Sequence, residues 1–130
     1  MRRWALTLRQ QPGEELESRL ARIVRFLSEI YPRGRVLVSD FEATGPLGDE
    51  LTQRLDAVEE IEISALDLIG ICEGAGQVIE LDATLTDGGD DAIRLIVRDG
   101  TSVDVLGKGS RLPKEVVGAH DAVDPRLFGW

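Results

Sequence analysis

Ile79-Glu80-Leu81-Asp82-Ala83-Thr84-Leu85 is followed, across residues 86–91, by Ile93-Arg94-Leu95-Ile96-Val97 and then by Val103-Asp104-Val105. Ile79, Leu81, Ala83 and Leu85 alternate with Glu80, Asp82 and Thr84. That two-residue period belongs to a strand with one buried and one wet face. Thr86-Asp87-Gly88-Gly89-Asp90-Asp91 has the composition of a turn. Ile93, Leu95 and Val97 continue the pattern and meet Val103 and Val105 through Arg98-Asp99-Gly100, so the segment reads as a β-meander. A two-residue Asp99-Gly100 loop would set Leu95 opposite Asp104, with unlike residues on one face. A three-residue loop, Arg98-Asp99-Gly100, sets Leu95 opposite Val103, Ile93 opposite Val105 and Arg94 opposite Asp104. It also puts Gly100 at the left-handed bulge position. The three-residue loop is the expected register.

Toward the N-terminus, Val36-Leu37-Val38 is a short buried-type strand, and Glu60-Ile61-Glu62-Ile63 alternates like a half-exposed one. Between them Leu47, Leu51, Leu55 and Val58 recur at helical steps behind Thr44-Gly45-Pro46, with Thr44 the expected N-cap. Leu16, Leu20, Ile23, Val24, Leu27 and Ile30 mark one face of a long amphipathic helix. Glu15, Arg19, Arg22, Arg25 and Glu29 mark the other. Trp4, Leu6 and Leu8 alternate as a first strand. Residues 64–76 read equally as strand or short helix, and a short helix is expected within 113–119. The C-terminal Phe128 and Trp130 are expected to pack back on the domain. The fold class that follows is α+β: an N-terminal strand and long amphipathic helix, a second short helix, and a mainly antiparallel sheet ending in a C-terminal meander. Residues 1–130 read as one domain.

The chain has 130 residues, 42% of them hydrophobic and 5% aromatic, so its core must be aliphatic. A single cysteine, Cys72, excludes an internal disulfide framework and fits a reducing compartment. The apolar run near the N-terminus is shorter than a signal-peptide core and is broken by Arg9. No stretch approaches the roughly 18 apolar residues of a membrane span. A cytoplasmic protein is expected, without membrane contact.

The net charge of -9 is unevenly spread. Residues 1–35 balance at +4 and residues 92–130 at +1. Residues 36–91 hold 15 acids against Arg54 alone, a balance of -14. Such a segment repels phosphates and attracts a basic protein surface, so no nucleic-acid partner is expected. Asp40, Glu42, Asp49, Glu50, Asp56, Glu59, Glu60 and Glu62 are the candidate partner-binding residues, with Phe41 as an apolar anchor. Small, acidic α+β proteins of this kind look like bacterial immunity proteins, which neutralise nuclease and other toxins. The likeness is one of character and rests on no motif. An Arg-rich, Lys-poor composition agrees with a bacterial source.

Val36-Leu37-Val38-Ser39-Asp40-Phe41-Glu42-Ala43-Thr44-Gly45 resembles the first motif of the DnaQ-like (DEDD) 3′–5′ exonucleases, an apolar strand followed by D-x-E-x-T-G. The resemblance implies Asp40 and Glu42 on two divalent metals. His120-Asp121-Ala122-Val123-Asp124 partly echoes that family's third motif, with Asp124 one residue early. The chain is shorter than that fold requires, and Thr44 onward reads as helix where the family has a meander. The remaining motifs are weaker. Asp87-Gly88-Gly89-Asp90-Asp91 lacks the ligand spacing of an EF-hand. Gly70-Ile71-Cys72-Glu73-Gly74-Ala75-Gly76 lacks the Lys-Ser/Thr of a phosphate loop. A Cys72–His120 dyad competes with a buried inert thiol, and Ser39 has no nucleophile elbow. The favoured expectation is a non-enzymatic inhibitor of a basic toxin domain, with no cofactor and no metal. A metal-dependent phosphodiesterase using Asp40, Glu42, His120 and Asp124 is one alternative. A subunit docking through the hairpin edge or the C-terminal aromatics is another. Oligomeric state is left open.

Overall fold

The computed structural model describes residues 2–9, 12–13, 15–44, 46–74, 77–87, 91–109 and 112–130. Of residues 16, 17, 46, 47, 48, 50 and 74 it describes the backbone only. The chain runs β1 (Arg3–Leu8), α1 (Leu16–Ile30), β2 (Arg35–Ala43), α2 (Pro46–Ala57), β3 (Ile61–Ser64) and α3 (Ala65–Gly74). It continues through β4 (Val78–Thr86), β5 (Ala92–Arg98), β6 (Ser102–Lys108), α4 (Lys114–Val117) and β7 (His120–Val123) to a 3₁₀ turn at Pro125–Phe128. The strands form one antiparallel sheet in the order β3-β2-β4-β5-β6-β1-β7. The α+β class, N-terminal strand, long helix, second short helix and C-terminal meander all follow the sequence reading.

The core lies between the inner sheet face and α1, α2 and α3. Val36, Val38, Phe41, Leu81, Ala83, Leu85, Ile93, Leu95, Val97, Val103 and Val105 meet Leu20, Ile23, Val24 and Leu27 of α1 and Leu68, Ile69 and Cys72 of α3. A second, smaller cluster sits on the outer face. Ala5, Ile96 and Leu106 are buried there beneath Val123, Phe128 and Trp130, so the C-terminal aromatics do pack back. Lys108 Nζ stands 4.7 Å from the centroid of the Trp130 ring, within cation–π range.

Residues 64–76 resolve as helix over Ala65–Gly74. Ser64 Oγ accepts the Asp67 N–H at 3.0 Å and caps that helix. Ala65, Leu68, Ile69 and Cys72, spaced at three and four, are its buried face, while Leu66 is 75% exposed.

Four expectations are corrected. The β5–β6 register sets Leu95 opposite Val105 and Arg94 opposite Leu106, so neither loop weighed on sequence is used. The three loop residues are Asp99-Gly100-Thr101, and Asp99 and Gly100 both have positive φ. This register sets Val97 opposite Val103 and also lets the Gly100 N–H reach Ile79 O at 2.9 Å. Arg19, expected on the polar face of α1, is 1% exposed. Its guanidinium donates to Arg9 O, to Val117 O at 2.6 Å and to Ala119 O at 2.8 Å. The Thr44 hydroxyl, expected to cap α2, accepts the Gln77 N–H at 2.7 Å. Finally, Val78 rather than Ile79 is the deeply buried residue beside Leu81. The β2–β4 register shifts between Glu42 and Ala43, which brings Val78 opposite Ala43.

Candidate partner-binding face

The outer face of the sheet can be read from its register. Val38 pairs with Ala83 and Asp40 with Asp82, which leaves Ser39 as an extra residue in β2. Such a bulge resets the in–out alternation. Ser39 and Asp40 are both exposed, Phe41 turns into the core at 4% exposure, and Glu42 is exposed again. Phe41 therefore offers no surface to a partner; the apolar anchor expected there belongs to the core.

Asp40 stands opposite Asp82, and Glu42 opposite Glu80. Two like-charged pairs directly across a ladder oppose strand pairing. The next strand relieves half of them. Arg94 Nε and Nη2 donate to Asp82 Oδ1 and Oδ2 at 2.8 and 2.6 Å, a bidentate pair at 22% and 15% side-chain exposure. The hydrogen bond to Asp82 raises the Arg94 pKa above its ordinary value, against the opposing effect of partial burial. Arg98 Nη1 lies 3.7 Å from Glu80 Oε2. Asp40 and Glu42 have no ion pair among the described residues. The row continues from Asp82 to Ile96, Asp104, Thr7 and Asp121. Asp104 is 7% exposed and accepts the Thr7 hydroxyl at 2.6 Å.

The other expected residues lie elsewhere. Glu62 shares the outer face, opposite Leu37, with Arg35 Nη1 at 3.6 Å. Asp49 and Asp56 are exposed on α2, which packs on the inner side of the sheet through Leu51. Glu59 and Glu60 are exposed in the α2–β3 connection. The Glu50 side chain lies outside the described residues. The acids thus divide between an outer patch of Asp40, Glu42 and Glu62 and a helix-side strip. Sequence reading missed Glu80 and Asp82, which complete the outer patch. Their strict alternation with Leu81 and Ala83 was the available signal.

The exonuclease-like set does not assemble. β2 and β7 are five strand spacings apart, about 24 Å at 4.8 Å each. His120 Nδ1 is 2.8 Å from Gly118 O. Asp124 caps the 3₁₀ turn by accepting the Arg126 N–H at 2.9 Å. The Arg126 side chain holds its carboxyl below the ordinary carboxylate range. No group of three or more metal-ligating side chains occurs among the described residues. Cys72 is 2% exposed in the main core. The glycine-rich loop at 88–90 and residues 75–76 lie outside the described residues. No described helix is long and apolar enough to cross a membrane. β5 and β6 are interior strands, so their hairpin presents no free edge for docking.

A concavity lies on the helix side. Leu51, Arg54, Ile63, Leu66, Asp67, Gly70 and Ile71 line a cleft of about 330 Å³ between α2, β3 and α3. Comparison with protein families, curated proteins and solved structures found no match.

Proposed function

We propose that this chain is a small acidic cytoplasmic binding protein that neutralises a basic protein partner. Its closest functional type is a bacterial immunity protein that inhibits a toxin such as a nuclease. The observation that carries this reading is the pair of like-charged ladder positions, Asp40 opposite Asp82 and Glu42 opposite Glu80. The C-terminal aromatics pack on Ala5, Ile96 and Leu106 rather than on these residues. Opposed carboxylates cost the free protein a few tenths to about 1 kcal/mol per pair. Arginines and lysines of a partner would relieve that cost on docking. Clustered carboxylates also steer a basic cleft toward the face and compete with a phosphate substrate for it. No enzymatic step is assigned to the chain.

The test is capture of a partner from the host by the tagged chain, repeated with Asp40→Asn/Glu42→Gln. A single basic protein, released by raised salt and bound at least tenfold more weakly by the variant, is the expected result. Its own toxic activity should be suppressed by the wild-type chain. A partner that binds the double variant equally well, with no salt dependence, would overturn the assignment of this face.

A further inference from the structure

The cleft between α2, β3 and α3 has three features that bear on a ligand. Gly70 sits inside α3, where glycine costs about 1 kcal/mol relative to alanine. A Cβ added there would meet nothing within 4 Å, and Gly70 is not among the positive-φ residues. Neither packing nor backbone conformation requires the glycine, and its missing side chain widens the cleft. Leu66 lines the same cleft at 75% exposure. Arg54 is the single base in residues 36–91, among 15 acids. Nevertheless it has no ion pair among the described residues, and neither does Asp67, which lines the same cleft from α3. An aliphatic concavity flanked by a cation and an anion that have no ion pair among the described residues is complementary to a ligand carrying the reverse arrangement.

We propose that this cleft binds a small zwitterion with an aliphatic body, of the branched-chain α-amino acid class. The guanidinium of Arg54 takes the carboxylate, where two parallel N–H donors match two oxygens. The Asp67 carboxylate takes the ammonium. Leu51, Ile63, Leu66 and Ile71 cover the aliphatic side chain in the space left by Gly70. A volume of about 330 Å³ is at the low end for small-molecule sites, which suits a ligand smaller than a drug. A plain fatty acid would leave Asp67 unanswered, and an aliphatic amine would leave Arg54 unanswered. The cleft is on the helix side of the sheet and is independent of the acidic outer face.

The experiment is titration of the full chain with L-leucine by calorimetry and by amide NMR shifts. Isovalerate and isoamylamine serve as ligands lacking one charge each. Saturable binding near or below 1 mM is expected, on the order allowed for so few heavy atoms. Each singly charged analogue should bind at least tenfold more weakly. Gly70→Leu fills the cleft and should abolish binding without lowering the melting temperature. Arg54→Gln, on an exposed helix face, should weaken leucine at least tenfold and leave isoamylamine unchanged. No saturable shift up to about 20 mM, a value well above the affinity such a ligand should reach, would overturn the site. Equal binding of isovalerate and leucine would overturn the zwitterion assignment. Leucine binding retained by a folded Gly70→Leu would place the ligand elsewhere.

Discussion

Arg19 shows how far one side chain can depart from its position in a periodic pattern. It stands one residue before Leu20 on α1, at the margin of the apolar stripe, and its long stem reaches between α1 and the chain before β7. There its guanidinium gathers carbonyls from Arg9, Val117 and Ala119. It thereby ties the end of β1 to the α4–β7 connection. Gly118 lies against it: a Cβ there would meet Arg19 Nη2 at 3.0 Å, and its φ of +76 is one that favours glycine. Arg19→Met keeps the volume but strands those carbonyls. We expect a loss of about 3 kcal/mol in urea unfolding, a large share of a small protein's total stability. Arg19→Lys should recover only part of it, because a single ammonium nitrogen cannot stand at the places of both Nη1 and Nη2, which reach Arg9 O on one side and Val117 O and Ala119 O on the other. Tyr31 offers a titration at the same scale. Burial first, and then the neighbouring Asp91 carboxylate, raise its hydroxyl pKa. The neutral form is favoured in the folded state, so its contribution is complete below the unfolded value near 10. It falls as pH rises through the folded value. Tyr31→Phe should flatten the alkaline limb of a stability–pH curve.

At the scale of elements, β4 and β5 are held by more than their ladder. Arg94 reaches diagonally from its position opposite Thr84 to Asp82, where both donors find both oxygens. The pair is largely screened from solvent, so it should exceed the usual surface value. A double-mutant cycle of Arg94→Met and Asp82→Asn should give a coupling of about 1–2 kcal/mol. A value near zero would mean that the ladder alone holds the strands. Alternation alone sets Arg94 against Asp104, whereas the ladder sets it opposite Leu106. Both partners are outward-facing in any register that keeps the valines inward. Pattern therefore could not choose between registers that differ by two residues. Helix α3 is the converse case. The spacing of Ala65, Leu68, Ile69 and Cys72 is legible as helix once Leu66 is recognised as exposed, which the apolar run concealed.

For the whole molecule, the sheet separates two surfaces of opposite logic. The outer face is apolar beneath the C-terminal turn and acidic over β2 and β4. The helix face is a buried core with a cleft at its β3 edge. Removing charge from the acidic half should stabilise the free protein. Asp40→Asn/Glu42→Gln is expected to gain about 0.5–1 kcal/mol at low salt, measured by urea unfolding. The gain should shrink as added salt screens the wild-type repulsion. A loss of stability would mean that these carboxylates have partners within the fold and would weaken their assignment to docking.

The sequence by itself determined the first strand, the long helix, the second helix, the meander, the aliphatic core and the concentration of acid between residues 36 and 91. These are properties of period and composition, and they are local. Tertiary structure alone decided that β1 lies between β6 and β7, that Asp40 faces Asp82, that Phe41 is core, and that Asp40 and His120 are far apart. Each of these depends on which strands pair and in what register. A single bulge at Ser39 is enough to exchange inside for outside along the rest of β2. Alternation specifies two faces for each strand, and only long-range pairing joins those faces into a surface.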